Sequence, residues 1–137
     1  MNILPITMQQ AYEMKHEANI ALMDDGRGFV VMNGENVAAK VICCDFTQNS
    51  CHVHMVINDS KALQDNYLAK ELFHFTFEVL GRTMLIATAS SLNEGSLALQ
   101  RAYGFEEVCR ITDAFSDGED MVISTLTREH HKRRRIH

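Results

Sequence analysis

The chain has 137 residues, 46% of them hydrophobic, and a formal net charge of −5, which suits one domain with a sizeable core. No apolar run reaches membrane-spanning length, and MNILPITMQQ lacks the basic start and long apolar segment of a signal peptide, so a cytoplasmic location is expected. Five of the 13 Lys and Arg stand in the last ten residues against one Glu, and the acidic body that remains argues against nucleic-acid binding.

Met1 to Leu4 is short and apolar and ends at the only proline, Pro5, which an edge strand tolerates. Thr7 can cap a helix running to about Asp24, with Met8, Ala11, Tyr12, Met14, Ala18, Ala21 and Leu22 near helical spacing. Asp24-Asp25-Gly26-Arg27-Gly28 ends it; Asp24 and Asp25 read as solvated loop acids or as attractors of an amine. A hairpin follows, with strands at Phe29 to Met32 and Val37 to Phe46 around Asn33-Gly34-Glu35-Asn36. Thr47 to Ser50 turns the chain into a third strand, Cys51 to Ile57.

Asn58-Asp59-Ser60 breaks that strand, and a helix is expected from about Asp65 to Leu80, where Leu68, Leu72, Phe75 and Val79 repeat at helical spacing before Gly81. Thr83 to Ala89 reads as a buried strand parallel to a neighbour across that helix. Asn93 caps a short helix, Glu94 to Tyr103, which Gly104 stops. Phe105 to Thr112 and Glu119 to Leu126 are two last strands, and the basic residues 128–137 are expected as a mobile tail. The order β-α-β-β-β-α-β-α-β-β predicts a single α/β domain, residues 1–127, on a mixed sheet.

The chemistry-bearing residues gather between Cys51 and Leu72. His52 and His54 are two apart on a strand and share one face, which is either a half-solvated face or a proton relay working near neutral pH. The strand, turn and helix start that follow form an anion site, because a helix's first amides lack partners within it. Cys43, Cys44, Cys51 and Cys109 show no C-x-x-C spacing and read as buried free thiols, and Cys51 with His54 matches no structural zinc pattern. The eight methionines are scattered and read as core filler.

From Met1 to about Thr127 this order and these motifs resemble the GNAT superfamily of N-acetyltransferases. NEGSLALQRAYGF (Asn93 to Phe105) is similar to the family's N-x-x-(A/S)-x-x-L-Y-x-x-x-G-F segment, with Asn93, Ser96, Leu99, Gly104 and Phe105 in place. Gln64-Asp65-Asn66-Tyr67-Leu68-Ala69 stands where the family carries its pyrophosphate loop, (Q/R)-x-x-G-x-(G/A). His52-Val53-His54 resembles the H-x-H of arylalkylamine N-acetyltransferases, with the same ten-residue step from the second histidine to the loop glutamine.

The resemblance implies a GNAT-like, mixed and mostly antiparallel central sheet flanked by helices. It implies transfer of an acetyl group from acetyl-CoA, as co-substrate, to an amine acceptor, either a small molecule or a protein. His54 would be the main base with His52 assisting, the amide around Val56 would hold the thioester oxygen, Gln64 to Lys70 (Asn66, Tyr67, Leu68 and Ala69 among them) would bind pyrophosphate, and Asn93 would support the pantetheine arm. From the residues alone, Lys70 reads as a solvated first-turn lysine.

Two positions depart from the pattern. Tyr67 replaces the first loop glycine, where a glycine would let the backbone approach the phosphates. Gln100 replaces the tyrosine that acts as acid, leaving Tyr103, three residues on, as a substitute acid or a packing residue. The departures open an alternative, a catalytically impaired GNAT-like binding or assembly module working through a protein partner, as compact members of this kind in bacteriophages suggest. The short first helical segment leaves the acceptor site either open or completed by a second subunit.

Overall fold

A computed structural model describes residues 1–17 and 25–136. Seven strands form one sheet in the order β1-β2-β3-β4-β5-β7-β6, where β1 is Asn2–Pro5, β2 Arg27–Asn33, β3 Asn36–Cys44, β4 Ser50–Ile57, β5 Met84–Ser90, β6 Glu106–Ser116 and β7 Glu119–Thr127. Every neighbouring pair is antiparallel except β4 and β5. The helices are α1 (Met8–Glu17), α2 (Tyr67–Phe73), α3 (Glu94–Tyr103) and α4 (Arg128–Ile136). The α/β class, the mostly antiparallel sheet and the β-α-β-β-β-α-β-α-β-β order are as the sequence predicts.

Local chemistry accounts for these elements. Thr7 Oγ1 accepts from the Gln10 amide (3.1 Å) and Gln10 Oε1 accepts from the Thr7 amide (2.9 Å), a reciprocal cap at the start of α1. Ile6 just before the cap and Ala11 one turn on join the same apolar cluster, which fixes the entry angle of the helix. The expected continuation of this helix to Asp24 lies outside the described residues. Pro5 has no amide to give, and it sits on an outermost strand opposite Phe29. Gly34, at φ 64°, takes the first position of a two-residue hairpin loop between Asn33 and Asn36.

The first cluster of the core, Ala11, Met14 and Ile42 with Ile6 and Val56, lies between α1 and β3–β4. The larger one covers the opposite face, where Leu68, Leu72 and Phe77 from the crossover and Tyr103 from α3 meet Val41, Cys43, Cys51, Val53 and Leu85. Cys43, Cys44 and Cys51 are buried free thiols as expected, whereas Cys109 is exposed on the edge strand β6. The hydrogen bond with Cys51, followed by burial, pushes the Cys43 thiol far above its ordinary range.

Three expectations change. The crossover helix begins at Tyr67, after a 3-10 segment Ser60–Asn66, because Gln64 is extended and Asp65 is left-handed, and it continues as π-helix over His74–Val79. The β6 strand extends to Ser116 and begins one residue late, since Phe105 is buried in the core. Residues 128–136, expected as a mobile tail, form α4. The Thr127 hydroxyl accepts from the His130 amide at its start (3.1 Å), the His131 ring lies 4.2 Å from that of Phe73, and Arg134 donates to the Ala102 carbonyl (3.1 Å). Exposed aromatic surface on the crossover gives this helix something to cover, which a charged sequence read alone does not reveal.

Candidate active site

Strands β4 and β5 pair only from Ser50↔Met84 to His52↔Ile86. Beyond that the ladder ends, although β4 runs on to Ile57 and β5 to Ser90, so the middle of the sheet parts between their C-terminal halves. The loop to the crossover helix leaves from the end of β4, and Asn93 opens α3 just after β5. The parting of two parallel strands at a pair of helix starts is where open α/β sheets take ligands.

The histidines stand on one side of this gap. His52 pairs with Cys44 and His54 with Ile42; Ile42 packs under α1, so both histidines face the α1 side. Both are half-buried. Burial, followed by the neighbouring His52, holds His54 below its ordinary value, against the opposing pull of Asp45. A neutral imidazole at neutral pH is the form a base requires. Asp45 is held in turn by Asp25, whose carboxylate accepts from the amides of Asp45 (3.4 Å) and Phe46 (3.1 Å). Lys40, opposite Val56, is 5% exposed and donates to Glu17 (2.6 Å) and Glu13 (3.2 Å), tying α1 to the strand beside His54.

The amide of Val56 does not face the gap. The Ile6 amide bonds to Gly28 and that of Asn58 to Ala38, and the unshifted registers between these points make Lys40–Val56, Ile42–His54 and Cys44–His52 the bonded pairs of β3 and β4. Val56 therefore gives its N–H to β3. The amides aimed at the gap beyond the last β4–β5 pair belong to Met55 and Ile57.

The loop beyond is pinned at its base. Ala38, the extra residue of a bulge in β3, offers its carbonyl to the amides of Asn58 (2.8 Å) and Asp59 (3.0 Å). Asp59 then caps the 3-10 segment by accepting from Lys61 (2.9 Å). Asp65 (φ 54°) and Asn66 (φ 57°) are both left-handed, the conformation that Asp and Asn accept best after glycine. Tyr67 is an ordinary helical residue (φ −58°, ψ −55°), its amide bonded to the Ala62 and Gln64 carbonyls. The backbone freedom expected at position 67 is thus supplied two residues and one residue earlier. Its ring packs partly buried against the core, while Gln64, Asn66 and Lys70 are exposed.

Asn93 caps α3, its side chain accepting from Ser96 (3.0 Å). Gly104 (φ 97°) closes that helix, with Phe105 bonded back to Gln100 and Gly104 to Arg101. Gln100 is buried, donating to Ser96 Oγ (3.2 Å), and its Oε1 has no partner among the described residues. Tyr103 does not join the histidines: it packs edge-on against Phe73 on the opposite face, and burial lifts its phenol to about 12. Cys51 and His54 also point to opposite faces, and no group of three or more metal-ligating side chains is present among the described residues.

Solved structures similar to this one include N-acetyltransferases. A spermidine/spermine N-acetyltransferase of Vibrio cholerae aligns over 97% of this chain and 95% of its own, with TM-score 0.77 and 12% identity. A GNAT-family acetyltransferase structure from Desulfovibrio desulfuricans aligns over 92% and 98%, with TM-score 0.70 and 12% identity. The chain has the GNAT fold. The ribosomal-protein-S5-alanine acetyltransferase of Vibrio fischeri shares this fold at 18% identity and TM-score 0.64, over 89% of this chain and 69% of its own. No protein-family model and no curated protein matches the sequence.

Two features of the site were missed by sequence reasoning. The direction of the β4 amides depends on hydrogen-bond parity carried across four strands, which no local pattern encodes. The helix α4 does have a local signal, Thr127 as an N-cap before a run of Glu, Lys and Arg.

Proposed function

We propose that the chain is an N-acetyltransferase that moves the acetyl group of acetyl-CoA to an amine. The observation that carries this reading is the parting of β4 from β5, with the half-buried His52 and His54 on the α1 face and the loop of left-handed Asp65 and Asn66 at the end of β4. Acetyl-CoA would lie with its pyrophosphate on Gln64 to Lys70 and its pantetheine arm beside Asn93, on the face of α2 and α3. The amine would enter from the α1 face, near Asp45, whose charge favours a cationic acceptor. His54, with His52 beside it, takes the amine proton directly or through water. The nitrogen lone pair attacks the thioester carbonyl, the oxyanion accepts from the Met55 or Ile57 amide, and the C–S bond breaks to release CoA thiolate.

The acceptors named for similar structures are a polyamine and a ribosomal-protein alanine, and the acceptor here is assigned no more narrowly than an amine. Calorimetric titration with acetyl-CoA tests the reading: saturable binding is expected, and no binding at millimolar cofactor would sink it.

A second reading, a binding module that holds acetyl-CoA or a protein partner without turnover, draws on Gln100 and Tyr103. Gln100 has no proton to give, and Tyr103 is packed away from the histidines. Cofactor binding with no acetylation of any amine in a broad panel would favour it.

A further inference from the structure

The face of the sheet that carries the histidines continues past the gap. His52 pairs with Ile86, and the strand registers carry that face on through Thr125, Ile123 and Met121 of β7 to Cys109 and Ile111 of β6. The other face of β5 and β7 is closed by α3, where Leu97 meets Ala89 and Val122. On the histidine face Ile86, Met121 and Ile123 stay half-buried and Ile111 is 46% exposed. None of these four joins an apolar cluster of the core among the described residues. The buried residues of α1 meet Ile42 and Val56 instead, on the β3–β4 side of the gap. An apolar sheet face left open in this way marks a binding surface.

Its position and its charge say what it takes. In the offset of the β4–β5 ladder Thr88 stands level with His54 across the gap, so the face begins where the reacting nitrogen must sit. From β4 to β7 is two strand spacings, roughly 10 Å, the reach of a short alkyl chain or one aromatic ring. Asp45, which pulls on His54, supplies negative charge at the nitrogen end. Farther on, the two acids of the face stand at its ends and are engaged. Ser90 donates to Glu119 (2.6 Å), and Glu106 lies 3.2 Å from His130 Nε2. A second ammonium laid on Ile86 and Ile123 would lose water without gaining a partner.

We propose that this face seats the carbon body of the acceptor, and that the acceptor is a primary monoamine with an apolar alkyl or aryl body and no second charge. The inference rests on the acetyl-transfer reading and narrows its acceptor. The test compares hexylamine with 1,5-diaminopentane, which puts an ammonium where hexylamine ends in a methyl, by CoA release from acetyl-CoA on the full chain. The wild type is expected to favour hexylamine in kcat/KM by about tenfold or more. Ile123→Asp should reverse that preference and Ile123→Thr should reduce it, with circular dichroism verifying both folds; a merely structural role would lower the two amines alike. Equal use of the two amines, or preference for the diamine, overturns the inference and leaves the acetyl-transfer reading standing. So does a preference unmoved by Ile123→Asp while sedimentation shows a dimer dissociating, which would assign the face to a second copy of the chain. Turnover of neither amine overturns it too, and calorimetric binding of acetyl-CoA then decides the acetyl-transfer reading separately.

Discussion

Replacing Tyr67 by glycine, the residue the GNAT loop pattern favours there, should weaken the protein rather than improve it. Tyr67 has ordinary helical angles, so glycine relieves nothing at that position. The substitution costs about 1 kcal/mol in helix propensity and about 1 kcal/mol more from removing a partly buried ring. For a chain of this length, 1 kcal/mol corresponds to about 3–4 °C in Tm, so a fall of about 6–8 °C is expected. The left-handed residues behave differently. Asn66→Gly should leave Tm unchanged or raise it by about 2 °C, while Asn66→Ala should cost about 1 kcal/mol, because a Cβ without a polar side chain is disfavoured at φ 57°. Thermal and urea melts of the three variants measure these differences. A stabilising Tyr67→Gly, or one that tightens acetyl-CoA binding tenfold, would refute the claim that the loop's strain has moved to Asp65 and Asn66.

Cys109 is the only exposed thiol among four, so a thiol reagent should label one cysteine rapidly in the native protein and the other three only at the rate of unfolding; two fast thiols would contradict the buried placement of Cys43, Cys44 and Cys51. Removing residues 128–137 strips the cover from Phe73 and Phe77, and should lower Tm by about 5–10 °C at roughly 2 kcal/mol of lost aromatic burial. An unchanged melt would mean that α4 does not pack on the crossover.

Much of the fold is legible because its signals are local. The Asn-Gly loop of the first hairpin, the Asn93 cap, the Gly104 stop and the apolar run that becomes β5 are each decided by a few adjacent residues. The His52 and His54 pairing on one face follows from strand alternation alone. What depends on distant partners is not legible. Val56 loses its expected role because its amide is claimed by a β3 residue whose bonding direction is inherited from β2. Tyr103 is drawn to the opposite face by Phe73, thirty residues away in sequence. The helix start slips from Asp65 to Tyr67 because two residues take left-handed angles that their identity permits but does not demand. The charged C-terminal segment orders only because the crossover leaves aromatic rings to cover.

The central claim is that His54 is the base, working neutral on the α1 side of the parted strands. The pH dependence of kcat/KM for acetyl-CoA-dependent acetylation of a small amine tests it most directly. Because burial and His52 depress the His54 pKa, activity should rise with pH through a limb below histidine's ordinary value of 6.5. His52→Ala removes one depressing charge and should move that limb up, and Asp45→Asn removes the opposing acid and should move it down. His54→Gln should abolish the limb and lower the rate by about 10²–10⁴-fold. A His54→Gln enzyme with the wild-type rate and the same limb would contradict the account.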